Sequence, residues 1–442
     1  MNAKLKPYPE YRDSGVDWLG RVPAHWDVVR NGRLFAERNE TGFPELPILE
    51  VSLRTGVRVR DMEGGRKQQM SDRAKYKRAA QNDIAYNIMR MWQGAVGVAP
   101  CDGLISPAYV VAQPLPGVVS RFYTYLFRTS AYMREVDFAS RGIVPDRNRL
   151  YWQYFKPILS PAPPHDEQRR IAEFLDTYAT LVQRLVAAKR RTITIIDEQR
   201  DQIIEGILVH HGTEVAVEMM LKRALNAIVG GSTPSPNPEF WNGEIVWITP
   251  PDISAADRLS SSRRSLTAAG LRSCAATVVP AGSVILTSRA PVGNIAIADV
   301  PLATNQGCKA LVPNSEKISS EFLALTVRRL VPLMRVLSTG TTFQEISTSR
   351  LGAMQINLPS VEQQNSIIRE VNTETRHLQT AKERTAAEID LIVEYRDAMI
   401  AAVVTGQLDV RMAEVGAVQG SDLLADVPSD DDDMEDALEQ VD

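Results

Sequence analysis

Two stretches decide the fold: AQNDIAYNIMRMWQGAVGVAPCDGLISPAYVVAQP, residues 80–114, and VPAGSVILTSRAPVGNIAIADVPLATNQGCKALVP, residues 279–313. Laid one on the other at an offset of 199 without a gap, they put Asp83-Ile84-Ala85-Tyr86 over Gly282-Ser283-Val284-Ile285 and Gly94-Ala95-Val96-Gly97 over Gly293-Asn294-Ile295-Ala296. The correspondence continues with small slips: Gly142 over Gly340 and Pro161 over Pro359 at 198, Glu167-Gln168 over Glu362-Gln363 at 195, and Glu198-Gln199-Arg200-Asp201 over Glu394-Tyr395-Arg396-Asp397 at 196. A unit of about 200 residues is a whole domain with its connector, far longer than a solenoid or propeller repeat. Two divergent copies in one chain predict a protein that grips two related but different objects.

The 442 residues, 44% hydrophobic and 24% charged, describe an ordinary globular chain with room for two or three domains. No apolar run reaches the length of a membrane span and the first eleven residues carry no signal-peptide core, so the expected location is the cytoplasm. Cys101, Cys274 and Cys308 are scattered, and the five histidines show no metal-binding spacing. The net charge of -4 hides an asymmetry, because ten acidic and no basic residues follow Ser421. Without that tail the chain is +6, and residues 1–212 alone are +7. The tail reads as an acidic, disordered segment.

Residues 1–165 read as an N-terminal arm followed by a first mixed domain. Short apolar runs such as Ile48-Leu49-Glu50-Val51 and Tyr109-Val110-Val111 are split by Gly, Pro and Asp, and residues 121–136 form an amphipathic helix. A long helix is predicted over 166–212, capped at Asp166, with Ile171, Leu175, Tyr178, Val182, Leu185, Thr192, Ile196 and Ile203 at 4-3 spacings. Residues 213–360 form the second domain, with strands at 244–248, 283–287, 294–298 and 309–312. A second long helix covers 361–408, its seam running through Ile368, Val371, Leu378, Ile389, Ile392, Met399 and Val403 with Thr375, Lys382, Thr385 and Arg396 as interruptions. Residues 409–442 complete the chain as the tail. The expected fold is α+β, a mixed α/β architecture in which two pseudo-twofold-related domains are separated by two long antiparallel coiled-coil helices. Neither seam is strong enough to stand alone, so each helix is expected to bury its stripe against the other.

Catalytic motifs are missing. There is no Gly-x-x-x-x-Gly-Lys-Ser/Thr loop to cradle phosphates, and no lysine follows a carboxylate by two residues as in a common class of nucleases. Asn237-Pro238-Glu239-Phe240 approaches the base-holding loop of adenine methyltransferases but carries Glu for its third residue, and reads as a surface turn.

Other features suit nucleic acid. Residues 54–78 hold Arg54, Arg58, Arg60, Arg66, Lys67, Arg73, Lys75, Lys77 and Arg78 against Asp61, Glu63 and Asp72, with Gln68 and Tyr76 interleaved. Such a stretch brings cations to phosphates while Gln reads base edges, or is simply a solvated loop. Residues 86–94, with Arg90, Trp92 and Gln93, form a polar and aromatic turn whose copy carries Arg289 one step from the matching place; Trp92 also fits a core. Asn305, Gln306 and Lys309, and further on Thr341 and Thr342, lie in short polar loops, and Arg141 precedes the Gly142 repeat position.

Taken together these strings resemble the specificity (S) subunit of type I restriction-modification systems. The residues that carry the resemblance are Gly230-Gly231-Ser232-Thr233-Pro234 with Asn237-Pro238-Glu239-Phe240-Trp241, then Thr287-Ser288-Arg289-Ala290-Pro291-Val292-Gly293 and Ala303-Thr304-Asn305-Gln306-Gly307. Gly340-Thr341-Thr342-Phe343, Pro359 with Glu362-Gln363, and Glu394-Tyr395-Arg396-Asp397 continue it, and the opening Tyr11-Arg12-Asp13-Ser14-Gly15 with Trp18-Leu19-Gly20 also fits. Residues 166–212 match more loosely than residues 361–408, and the acidic tail is extra. The resemblance implies two target recognition domains, each reading half of a split site on double-stranded DNA, with the helices setting the unread gap. It also implies a non-catalytic subunit that binds no cofactor itself. Its expected partners are two modification subunits, which use S-adenosylmethionine to methylate adenine, and restriction subunits, which use ATP and Mg. Two other readings stay open: a self-contained DNA methyltransferase or nuclease, and a coiled-coil scaffold whose two domains bind protein.

Overall fold

The computed structural model describes residues 5–60, 72–141, 148–211, 217–253, 257–289, 292–338 and 345–413. The chain divides into two compact units, one from Met1–Arg191 with Thr385–Asp442, the other from Thr192–Arg384. Each long helix, His165–His211 and Val361–Val404, therefore contributes to both units.

In the first unit a four-stranded antiparallel sheet runs in the order Phe35–Glu37, Tyr109–Pro114, Ile84–Asn87, Val96–Val98. Strand alternation sends Ile84, Tyr86, Val96, Val110 and Ala112 to one face. There they meet Phe122, Tyr123, Leu126 and Phe127 of helix Ser120–Phe127, and Tyr132 and Val136 of helix Ser130–Ala139. Rings interlock at centroid distances of 5.2 Å for Phe35–Tyr123 and 4.6 Å for Phe127–Tyr132. Each fully buried ring contributes on the order of 2–3 kcal/mol. The single helix expected over 121–136 is thus two. The Thr129 hydroxyl donates to Leu126 O at 2.7 Å and accepts from Tyr132 N at 3.3 Å, closing one helix and capping the next.

The other sheet face carries the smaller Ala85 and Val111, covered by Leu49 and Val57 of the hairpin Leu49–Ser52 with Gly56–Val59. A Cβ on Gly97 would stand 2.3 Å from Val57 N, so the hairpin lies backbone to backbone on the sheet. At the base of the unit, buried Glu167 accepts from Tyr8 Oη at 2.6 Å and Trp26 Nε1 at 3.1 Å and pairs with His25 Nε2 at 2.8 Å. The N-terminal arm, expected to be extended, is tied to the chain after the second long helix. Lys6 bridges Asp409, and Tyr11 Oη donates to Gly406 O at 3.0 Å. Residues 409–413, placed by sequence in the tail, are built into this unit, with Val410 fully buried and Arg170 donating to Ala413 O at 2.6 Å.

The second unit repeats the plan. Its sheet order is Leu225–Gly230, Cys308–Pro313, Val284–Thr287, Ile295–Ala298, with Arg258–Leu259 added in parallel at the edge. Phe322, Leu323, Val327, Val331 and Met334 of the single helix Ser320–Leu337 cover one face, started by the Ser319 hydroxyl on Phe322 N at 3.3 Å. The opposite face carries Ile285, Ala296 and Ala310, and beyond it a three-stranded sheet contains Trp241–Ile248.

The gapless offset of 199 needs one correction. Ile84 and Tyr86 face the helices, and so do Val284 and Leu286, whereas Ile285 faces the other way. Asn87 N donates to Ala95 O in one unit and Thr287 N to Asn294 O in the other, so the intervening loop is one residue shorter in the second copy. That strand matches at 200, and Val96 onward matches at 199. A one-residue error in a strand exchanges its two faces, which sequence similarity of apolar runs does not penalise.

Within the second unit the long helices are antiparallel, with Lys382 Nζ on Asp197 Oδ1 at 2.7 Å and His211 Nε2 on Glu370 Oε2 at 2.8 Å. Within the first, Lys189 pairs with Glu388. The later helix keeps a strict 4-3 seam, and its polar residues Thr375, Lys382, Thr385 and Arg396 stand on that seam at positions at least partly buried. The earlier helix does not. Leu185 is 47% exposed and Thr192 is exposed, and the inner line runs Tyr178, Val182, Val186, Lys189, Ile193, Ile196, Arg200, Ile204. Two extra four-residue steps restore a straight 3.6 period, which is why its heptads read poorly. This helix starts at His165, one residue before the expected Asp166 cap, with Pro164 O accepting from Glu167 N and Gln168 N.

Candidate nucleic-acid interface

In the second unit, loops from four places converge at the end of strand Val284–Thr287. Ser288 N donates to Gly307 O at 2.8 Å, and Ile346 N donates to Ser288 O at 3.0 Å. Ser232 N donates to Thr304 O at 3.0 Å, and the Thr233 hydroxyl bonds the Gln306 carboxamide. The approach of Gly231 is extreme: an added Cβ would stand 1.9 Å from Asn305 O. Two indoles hold the outer side of this Gly-Ser-Thr-Pro loop, Trp247 Nε1 on Ser232 O at 3.1 Å and Trp241 Nε1 on Ser235 O at 3.2 Å, with Arg264 stacked 3.6 Å over Trp241.

Of the residues expected from sequence, Arg289, Asn305, Gln306 and Lys309 come together here. Arg289 Nε donates to Glu345 Oε2 at 2.9 Å and Lys309 Nζ to Glu345 Oε1 at 3.1 Å. Burial raises the Glu345 pKa, but the hydrogen bonds and charges of Arg289 and Lys309 outweigh it, so the carboxyl sits below its ordinary value and stays ionised. Asn305 Oδ1 accepts from Gly307 N at 3.0 Å, shaping the turn, while Gln306 is exposed. Thr341 and Thr342 lie outside the described residues.

In the first unit the expected residues are more dispersed. Arg54 is exposed at the tip of the Leu49–Val59 hairpin, which Arg128 Nη2 anchors by donating to Leu53 O and Arg54 O. Arg58 and Arg60 both reach Glu50, Lys75 reaches Asp72 at 3.5 Å, and Arg78 reaches Glu40 at 3.0 Å and Asp102 at 2.6 Å. Much of the basic excess of residues 54–78 is thereby neutralised within the fold. Tyr76 is buried at 8% exposure, and Arg66, Lys67 and Gln68 fall outside the described residues. Arg90 is half-buried and Gln93 exposed on the 88–94 turn, where Trp92 Nε1 donates to Met89 O at 2.9 Å. Leu150 N donates to Ile88 O at 2.8 Å, as Ile346 does to Ser288, and Arg141 lies 5.7 Å over Tyr154 beside it. An open cleft of about 460 Å³ lies here, lined among others by Lys77, Ile88, Val110, Tyr151 and Trp152.

Sequence reasoning missed Glu345, Trp247 and Arg128, and it marked Trp241 only as part of a motif. Glu345 stands three residues beyond the Thr341-Thr342 pair, but nothing local distinguishes it from a solvated glutamate; only its partners on distant strands do.

Residues 224–389 match the family model described as the type I restriction modification DNA specificity domain. The type I MjaIX specificity subunit of Methanocaldococcus jannaschii is 37% identical over 148 residues, 32% of this chain and 34% of that protein. The HindI specificity subunit of Haemophilus influenzae is 29% identical over 149 residues, 33% of this chain and 32% of its own length. The chain therefore spans about a third of the length of each of these two relatives. Another Methanocaldococcus jannaschii protein, named for a type I MjaX specificity subunit, is 22% identical over 391 residues, 79% of this chain and 86% of its own. A chain solved in a study of complex assembly and conformational transition of the type I restriction-modification system has the same fold, with a TM-score of 0.56, 17% identity and coverage of 88% of this chain and 99% of that one. The converging loops around Gly231, Ser288 and Asn305 lie inside the matched span, so the second unit carries a domain of the type I restriction modification DNA specificity family.

Proposed function

We propose that the chain recognises a bipartite, asymmetric site on double-stranded DNA and directs adenine methylation and DNA cleavage carried out by partner subunits. The observation that carries this reading is the doubled reader. One strand order and one helix-facing core occur twice, while the loops at the end of the matching strands differ in length and charge. Half-sites read by such a pair differ from each other. The two long helices, each shared by both units, then set the number of unread base pairs between the halves. Two modification subunits supply methylation with S-adenosylmethionine, and restriction subunits supply cleavage with ATP and Mg; the chain itself holds none of these.

The test is to express the chain with a type I modification subunit in a methylation-free host and map N6-methyladenine. One split motif with unlike halves is expected. Methylation scattered without a motif, or none until a different specificity chain is supplied, overturns the reading.

A further inference from the structure

We propose that Arg289 is a guanine-reading residue of the second unit, held in place by Glu345, with Lys309 holding Glu345 in turn. The inference rests on the DNA-recognition reading above and assigns one of its contacts. Position 309 corresponds to Val110 of the first unit, since Ala112 and Leu311 occupy the same place on the helix-facing side two residues later. Val110 is 4% exposed and Lys309 is 6% exposed. The fold thus accepts a valine there, and a buried lysine costs stability unless it is paired. Its partner Glu345 precedes Ile346 as Arg149 precedes Leu150, the two residues that donate to Ser288 O and Ile88 O. Where the first unit has valine and arginine, the second has lysine and glutamate, an exchange that packing does not require.

The triad carries two cations and one anion, and Lys309 balances the Glu345 charge from the buried side. Arg289 keeps its own charge and 40% of its side-chain exposure. Its Nε is committed to Glu345 Oε2 at 2.9 Å, which fixes the guanidinium plane, and among the described residues the Nη edge is left for a second, planar acceptor. The stem is fixed too, because Ser288 is bonded to Gly307 and Ile346. A carboxylate beside the guanidinium repels a phosphate but tolerates the neutral O6 and N7 edge of guanine, to which arginine binds through two parallel hydrogen bonds. Arg289 is therefore set for a base edge in the major groove and not for the DNA backbone.

The experiment maps N6-methyladenine with the reconstituted modification complex carrying wild-type chain, R289Q, R289K, E345Q, or R289Q with E345Q. In the half-site read by the second unit, one position is expected to be guanine with wild type. The preference for guanine there falls by about 5- to 150-fold in R289Q, the range of one bidentate arginine contact. R289K gives the same relaxation, because lysine keeps the charge but not the fork, and it decides the matter if R289Q yields no complex. E345Q relaxes the same position while the salt dependence of binding stays as in wild type, and the double variant is no worse than R289Q alone. A wild-type complex with no motif overturns the recognition reading and this inference with it. A wild-type motif that R289Q and R289K leave unchanged at every position overturns the inference alone. So does a uniform loss across all sequences with a salt slope reduced by about one, the mark of a phosphate contact.

Discussion

Replacing Gly231 by Ala inserts a methyl group 1.9 Å from Asn305 O, 2.3 Å from Thr304 O and 2.4 Å from Asn305 C, all backbone atoms. An ordinary carbon–oxygen contact is about 3.3 Å or more, so the two segments separate by about 1.4 Å. The Ser232 N to Thr304 O bond, 3.0 Å long, then exceeds 4 Å and is lost, at a cost of about 1 kcal/mol. Overpacking adds about 1–3 kcal/mol. The expected destabilisation of the second unit is about 2–4 kcal/mol. The neighbouring Gly230→Ala is the control, because a Cβ there has nothing within 4 Å, and it is expected to lie within about 0.5 kcal/mol of wild type. Urea unfolding followed by tryptophan fluorescence reads both, since Trp241 and Trp247 donate to Ser235 O and Ser232 O of the displaced loop. The methylation motif adds a second reading: G231A degrades recognition in one half-site and spares the other. Equal midpoints for G230A and G231A would show that the loop is not seated against residues 304–305, and the arrangement drawn for the interface would fall.

Glu167→Gln removes the carboxylate that His25 meets and leaves one acceptor oxygen where Tyr8, Trp26 and His25 share two, so the first unit is expected to lose about 1–3 kcal/mol, read as a lower urea midpoint; an unchanged midpoint refutes the anchoring role. Burial pushes the Cys308 thiol from 9.0 up to about 12, so in the native protein at pH 8 it resists alkylation while the half-buried Cys101 and Cys274 react. Because its folded pKa is the higher one, stability associated with Cys308 is present below about pH 9 and declines toward pH 12, and rapid native-state alkylation of Cys308 contradicts the burial. Inserting one heptad into each long helix at the boundary between the units adds about 10 Å of helix. The methylated motif is then expected to gain about three unread base pairs, and an unchanged gap refutes the ruler.

The helix-facing core was legible from sequence because apolar residues at strand and helix periods declare it: Ile84, Tyr86, Val96 and Val98 alternate, and Phe122, Tyr123 and Leu126 share one helix face. The domain order followed from the repeat. What sequence hid was governed by single hydrogen bonds and single registers. Thr129 breaks a helix that its flanking residues favour. The one-residue change in the 88–94 turn is invisible where both strand faces are apolar. Leu185 and Thr192 fit a heptad, but the earlier helix does not follow one. At the interface, sequence marked Arg289, Asn305, Gln306 and Lys309 by residue type alone, and it marked Tyr76 in the same way, although that ring is buried. Exposure and pairing separate the two outcomes, and both are properties of the fold.

The two units diverge in a way that follows from where each residue sits. In each unit the helix-facing layer also packs against that unit's part of the long helices, so a change there disturbs the main core of the unit. The opposite layer of the first unit is small, with Ala79, Ala85 and Ala99, and is covered by a hairpin; that of the second supports a separate three-stranded sheet with two tryptophans. Between these layers, at the strand ends, lie the positions free to change without moving either. Val110 and Arg149 in one unit stand where Lys309 and Glu345 stand in the other, and the first unit opens a cleft bordered by Tyr151 and Trp152 near the place where the second holds a fixed arginine. On the proposed reading, an aromatic cleft and a guanidinium fork select different base edges. On that reading, divergence at the strand ends and in the outer layers gives two specificities on a shared helix-facing core, and exchange of the 309 and 345 pair for valine and arginine should move the second half-site's preference without unfolding that unit.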